Sequence, residues 1–94
     1  MVDTPEAISA DILIVEDDAQ VRAMLRQMLE VAGFRVREAI NGKEAMKSWK
    51  ADQPDLVITD VLMPEMDGFE VITSLRKLDP QSKVIAITGG GPRS

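Results

Sequence analysis

A doubly wound α/β fold with a parallel sheet is predicted by three features of this 94-residue chain. Short apolar runs alternate with longer segments whose apolar residues recur at helical spacing. The run "ILIV" (12–15) is wholly apolar and largely β-branched, as a strand buried on both faces is. The resulting order, β-α-β-α-β-α-β, implies parallel strands joined by right-handed crossovers.

The elements follow in order. Residues 1–10, with Pro5, read as a flexible leader ahead of the first strand. "EDD" closes that strand. Val21, Met24, Leu25, Met28 and Leu29 then fall at helical spacing, with Asp18 as N-cap and Gly33 at the position after the C-cap. "FRVREAI" (34–40) alternates as a second strand and is broken by Asn41-Gly42. Ala45, Met46 and Trp49 mark one stripe of a shorter helix, and Pro54 ends the connection. "LVITD" (56–60) is the third strand. Asp67 and Glu70 resemble a capping box. The helix they open runs from about Gly68 to Leu78, burying Val71, Ile72, Leu75 and Leu78, with Arg76 and Lys77 in its solvated last turn. Asp79-Pro80 stops it. "KVIAIT" (83–88) is the fourth strand, and residues 89–94 read as a flexible, glycine-rich end with a hinge at Gly89 to Gly91. The methionines and Trp49 are read as core or half-exposed packing.

Composition excludes several chemistries. There is no cysteine and no histidine, so disulfides, thiolate sites, histidine acid–base catalysis and the usual zinc sites are all ruled out. Any metal must be held by oxygen. The net charge of −5 argues against a nucleic-acid surface. No apolar run reaches membrane-spanning length, and the N-terminus lacks the form of a signal peptide, so a cytoplasmic protein is expected.

The acids carry the functional signal. Open parallel sheets bind ligands at the carboxyl ends of their strands, where the strand order reverses. If the order is 2-1-3-4, that point lies between the first and third strands. Glu16 and Asp17 would meet Asp60 there, beside Thr88 at the end of the fourth strand. Clustered carboxylates repel, and a hard divalent cation such as Mg2+ relieves the repulsion. One carboxylate can also act as a nucleophile toward phosphorus. A lone Asp after a strand is usually a loop cap, but Asp60 facing Glu16-Asp17 is harder to ascribe to chance. Asp18 is read as a helix cap rather than a ligand.

"ILIVEDD", "AINGKEAM", "DLVITDVLMPEMDGFEVI" and "VIAITGG" together resemble the receiver domain of bacterial response regulators, in the family's order and at its spacing. The resemblance implies a flavodoxin-like sheet of order 2-1-3-4-5. It implies that Asp60 is the phosphoacceptor, charged by a sensor histidine kinase or phosphotransfer protein. It implies that Glu16, Asp17, Asp60 and the main-chain carbonyl of Leu62 hold Mg2+, with Asp17 a more direct ligand than Glu16. Thr88 matches the switch hydroxyl, and Gly89 the small residue after it. From backbone chemistry alone, Pro64 removes a donor and fixes the loop after Asp60, and Gly68 permits a tight entry into the next helix. Such a domain is a phosphoacceptor rather than an enzyme, and catalyses at most its own phosphorylation and dephosphorylation.

The resemblance stops at residue 94, before the family's fourth helix, fifth strand and fifth helix. That strand carries a lysine for which Lys83 and Arg93 are no substitutes. The aromatic partner of the Thr88 switch is likewise absent. With the fifth strand and last helices absent, residues 11–88 read as a partial receiver domain. The strand at 83–88 is then expected to be an open edge, so that the chain self-associates or is only marginally stable. Two alternatives stand beside the switch. One is a truncated fragment that self-associates or binds metal without phosphotransfer. The other is a Mg-dependent phosphohydrolase, against which Leu62 counts, because such enzymes usually carry an acid two positions after the nucleophile.

Overall fold

The computed structural model of the chain describes residues 10–61 and 68–87. These form β1 (Asp11–Val15), α1 (Ala19–Val31), β2 (Arg35–Ala39), α2 (Gly42–Ala51), β3 (Leu56–Asp60), α3 (Gly68–Leu78) and β4 (Val84–Ile87). All strand pairings are parallel, and the sheet order is β2-β1-β3-β4. The expected leader at 1–10 (apart from Ala10), the glycine-rich end at 89–94 and the capping residue Asp67 lie outside the described residues.

The period-2 alternation of each strand divides the core into two layers. Leu13, Val15, Ala39 and Val57 face one way and pack with Ala45 and Trp49 of α2 and Val71 and Leu75 of α3. Ile12, Ile14 and Val36 face the other way and meet Leu25 and Leu29 of α1, with Phe34, Leu56 and Ile58 around them. β1 is central, and Leu13, Ile14 and Val15 are fully buried, as an uninterrupted apolar run requires.

The helix ends are set locally. Asp18 accepts from the amides of Gln20 at 2.8 Å and Val21 at 3.1 Å, so it is the N-cap of α1. Gly33 follows the C-cap with φ 101°, a left-handed conformation that suits glycine. Asn41, expected only to break the second strand, is also the N-cap of α2. Its side chain accepts from Glu44 N at 2.9 Å, while Glu44 reaches back to Ile40 N at 3.0 Å. This reciprocal pair works as a capping box does.

One expectation about packing holds and another needs correction. Met24 and Met28 are 53% and 60% exposed, so they are the half-exposed packing expected of the methionines rather than core. Leu25 and Leu29, four residues apart, already supply the stripe of α1 that meets the sheet, and the methionines fall on its flank. Leu78 is 52% exposed rather than buried. It lies in the last turn of α3 and opens onto a groove shared with α2. Val71 and Leu75 are buried as expected, and Ile72 is half-buried.

Candidate functional site

Parallel register brings the acids together. Val15 of β1 pairs with Thr59 of β3, so the next residue on each strand, Glu16 and Asp60, arrive side by side at the carboxyl edge. One oxygen from each of Glu16, Asp17 and Asp60 lies within 4.8 Å of the other two. Glu16 and Asp60 are only 1% and 2% exposed, whereas Asp17 is open to solvent.

The backbone beneath this trio is well tied. Glu16 N donates to Ala39 O at 3.0 Å, and Val61 N donates to Ile87 O at 3.0 Å, so both neighbouring strands brace the edge. The buried Thr59 hydroxyl donates to the Asp60 carbonyl at 3.1 Å. Glu16 Oε2 accepts from the Asp18 amide at 3.0 Å. Its other oxygen, Oε1, is buried with no hydrogen-bond partner among the described residues. A buried, half-satisfied carboxylate is costly, and its proton affinity rises in consequence. Burial, reinforced by the charges of Asp60 and Asp17 and opposed by the Asp18 amide, pushes the Glu16 carboxyl up to about 7. Three hard oxygen donors with one buried lone pair unanswered are a donor set that suits a small divalent cation.

A residue that sequence reasoning missed supports this turn. Arg22 donates from a terminal nitrogen to the Glu16 carbonyl at 2.9 Å, and from Nε to Glu38 on β2 at 2.8 Å. Glu38 also pairs with Arg26, which in turn pairs with Glu30 at 3.0 Å. The Arg26 and Arg22 guanidinium groups hold the Glu38 carboxyl below its usual range. One signal was present in the sequence: an arginine one turn into a helix sits near the positive end of the macrodipole, a poor local choice that implies a tertiary partner.

The structure thus places Glu16, Asp17 and Asp60 in one cluster and gives Asp18 to the helix cap. Leu62, Pro64, Thr88 and Gly89 lie outside the described residues. Lys83 sits at the opposite edge of the sheet, its carbonyl accepting from Val57 N at 3.0 Å at the start of β3 and β4.

Comparison with known proteins agrees with the geometry. Residues 12–93 match the family model for the response regulator receiver domain. The chain is 40% identical over 84 residues to the chemotaxis protein CheY of Thermotoga maritima, covering 88% of this chain and 70% of that protein. It is 38% identical over 80 residues to the transcriptional regulatory protein PrrA of Mycobacterium tuberculosis, covering 85% of this chain and 34% of that one. Among solved structures, the response regulator TrrA of Thermotoga maritima, in complex with Mg2+-BeF, superposes with a TM-score of 0.80 at 36% identity. That match covers 82% of this chain and 67% of TrrA. A four-stranded parallel sheet of order 2-1-3-4, an acidic trio at its carboxyl edge and a family match spanning most of the sequence lead to one conclusion: this chain belongs to the response regulator receiver domains of two-component signal transduction.

Proposed function

We propose that Asp60 accepts a phosphoryl group from the phosphohistidine of a sensor kinase or phosphotransfer protein, with Mg2+ held by Glu16, Asp17 and Asp60. The observation that carries this reading is the buried Glu16 Oε1, unpartnered among the described residues and set against two further carboxyl groups. When bound, Mg2+ neutralises charge on the incoming phosphoryl oxygens. The chain's own part is positioning. The braced strand end holds the Asp60 carboxylate still at the sheet edge. Its oxygen forms a bond to phosphorus as the phosphorus–nitrogen bond of the donor imidazole breaks, and the imidazole leaves with the bonding pair. Glu16 and Asp17 take no covalent part. The Leu62 carbonyl as a further metal ligand and the Thr88 hydroxyl as the switch complete the proposal.

The TrrA complex with Mg2+-BeF supports the same ligand class here. The activity is that of a phosphoacceptor rather than a hydrolase, in the cytoplasm; among the described residues no helix is long and apolar enough to cross a membrane. Acetyl phosphate with Mg2+ should add one phosphoryl group to the intact mass of the chain, and Asp60→Asn or chelation should abolish it. Amide NMR spectra with and without Mg2+ establish that the chain is folded. A folded, Mg2+-responsive chain that takes up no phosphoryl group would overturn the phosphoacceptor reading and leave metal binding alone. Turnover of a small phosphate ester would instead favour a hydrolase.

Self-association through β4 is a second proposal. It is supported by Ile85, 48% exposed on a strand whose outer edge has no partner among the described residues. Sedimentation across a concentration series should show a growing dimer; a constant monomer mass would sink this idea.

A further inference from the structure

The groove between α2 and α3 gathers four lysines around an apolar floor. The chain is acidic, at −5. Arg22, Arg26 and Arg37 are each paired, with Glu38, with Glu30 and Glu38, and with Asp11. Lys43, Lys47 and Lys50 of α2 and Lys77 of α3 all line the one groove, and none forms an ion pair among the described residues. The three lysines of α2 stand at i, i+4 and i+7, so they form a single stripe. Met46 lies within that stripe, and Leu78, 52% exposed, faces it from α3. The groove encloses about 630 Å3. Its floor is apolar, its walls include the lysine stems, and its rim is cationic.

We propose that this groove docks an acidic amphipathic helix of a partner protein. Apolar side chains at i, i+3 or i+4, and i+7 of that helix would cover Met46 and Leu78, and flanking Asp or Glu would reach the lysine rim. The dimensions suit it: α2 and α3 have 10 and 11 residues, and helices of that length are about 15 Å long, room for roughly three turns of a third helix. Other occupants fit less well. A free inorganic anion would leave the apolar floor wet. A bilayer surface is flat, whereas this site is concave. A second copy offers no acidic amphipathic helix among the described elements, because α1 and α3 each carry two basic residues and one acidic one. This inference is independent of phosphoryl transfer at Asp60.

The test is an amide NMR titration of the 94-residue chain with a synthetic helical peptide that carries leucines at helical spacing flanked by glutamates. Saturable shifts should centre on Met46, Ser74 and Leu78 and weaken as salt is raised. The exposed double variant Lys47→Glu/Lys77→Glu should bind about tenfold more weakly or worse, since each reversed rim charge replaces attraction with repulsion. Absence of shifts at ~1 mM peptide would overturn the proposal. So would equal binding of the same peptide with lysines in place of its glutamates, or undiminished binding by the variant. Shifts produced at the groove by phosphatidylserine vesicles and not by the peptide would reassign it to a membrane surface.

Discussion

Replacing Glu16 with Gln isolates the effect of one buried charge. The variant keeps the shape of the side chain and the oxygen that accepts from the Asp18 amide, but it cannot ionise. In the native chain the Glu16 carboxyl is raised from the usual 4.5 to about 7. A carboxyl whose folded value lies above its unfolded value binds its proton more tightly in the folded state. Its contribution to stability is therefore complete below 4.5 and is lost as pH rises to about 7. At about 1.4 kcal/mol per pH unit, that rise amounts to roughly 3 kcal/mol. Without metal, E16Q should exceed the wild type by up to about 3 kcal/mol near pH ~8 and by close to nothing near pH ~4. For a domain of this size the gain at the higher pH is a rise in Tm of roughly 10 °C or more. Glu38 shifts in the opposite direction, so its contribution is present above 4.5 and is lost as pH falls through its lowered value. Both chains share that loss, and it cancels in the difference. Urea unfolding followed by the fluorescence of Trp49, 5% exposed, reads the comparison directly. Added Mg2+ should reverse the ranking, because it stabilises mainly the chain with the complete acid trio. A variant no more stable than the wild type at the higher pH, or more stable by the same margin at both, would refute the reasoning.

Two further substitutions probe the supports of the site. Arg22→Met removes the hydrogen bond to the Glu16 carbonyl and one of the two partners of Glu38. It should cost about 1–3 kcal/mol in urea unfolding and weaken Mg2+ binding by calorimetry, with Arg22→Lys recovering part of both. Leu75→Ala opens a cavity beneath α3 at a residue only 1% exposed and should cost about 2–5 kcal/mol, measured by the same unfolding assay. An Arg22→Met chain with unchanged Mg2+ affinity would show that the tie to Glu16 does not position the proposed metal ligands.

Local pattern was enough for the architecture. Leu13, Ile14 and Val15 form an unbroken apolar run because β1 is covered on both faces, and that run by itself marks a strand buried on both faces. Alternation of strands and helices implied parallel pairing, and an order of 2-1-3-4, which the structure has, then sets Glu16-Asp17 and Asp60 at a common edge. The Asp18 cap and Gly33 exit of α1 were legible because capping chemistry is local. Other features depended on partners distant in sequence. Apolar spacing could not separate Leu25, which meets the sheet, from the exposed Met24 beside it, because the helix repeat is alike for core and flank. Asn41 looked like a strand breaker until its bond to Glu44 showed that it starts a helix. The sequence determined which residue types and which strand ends are present. Only tertiary structure decided how deeply Glu16 is buried, which of its oxygens is satisfied, that Arg22 reaches its carbonyl, and that four lysines converge on one apolar groove. Those outcomes rest on burial and register between segments far apart in the chain, and a linear pattern carries neither.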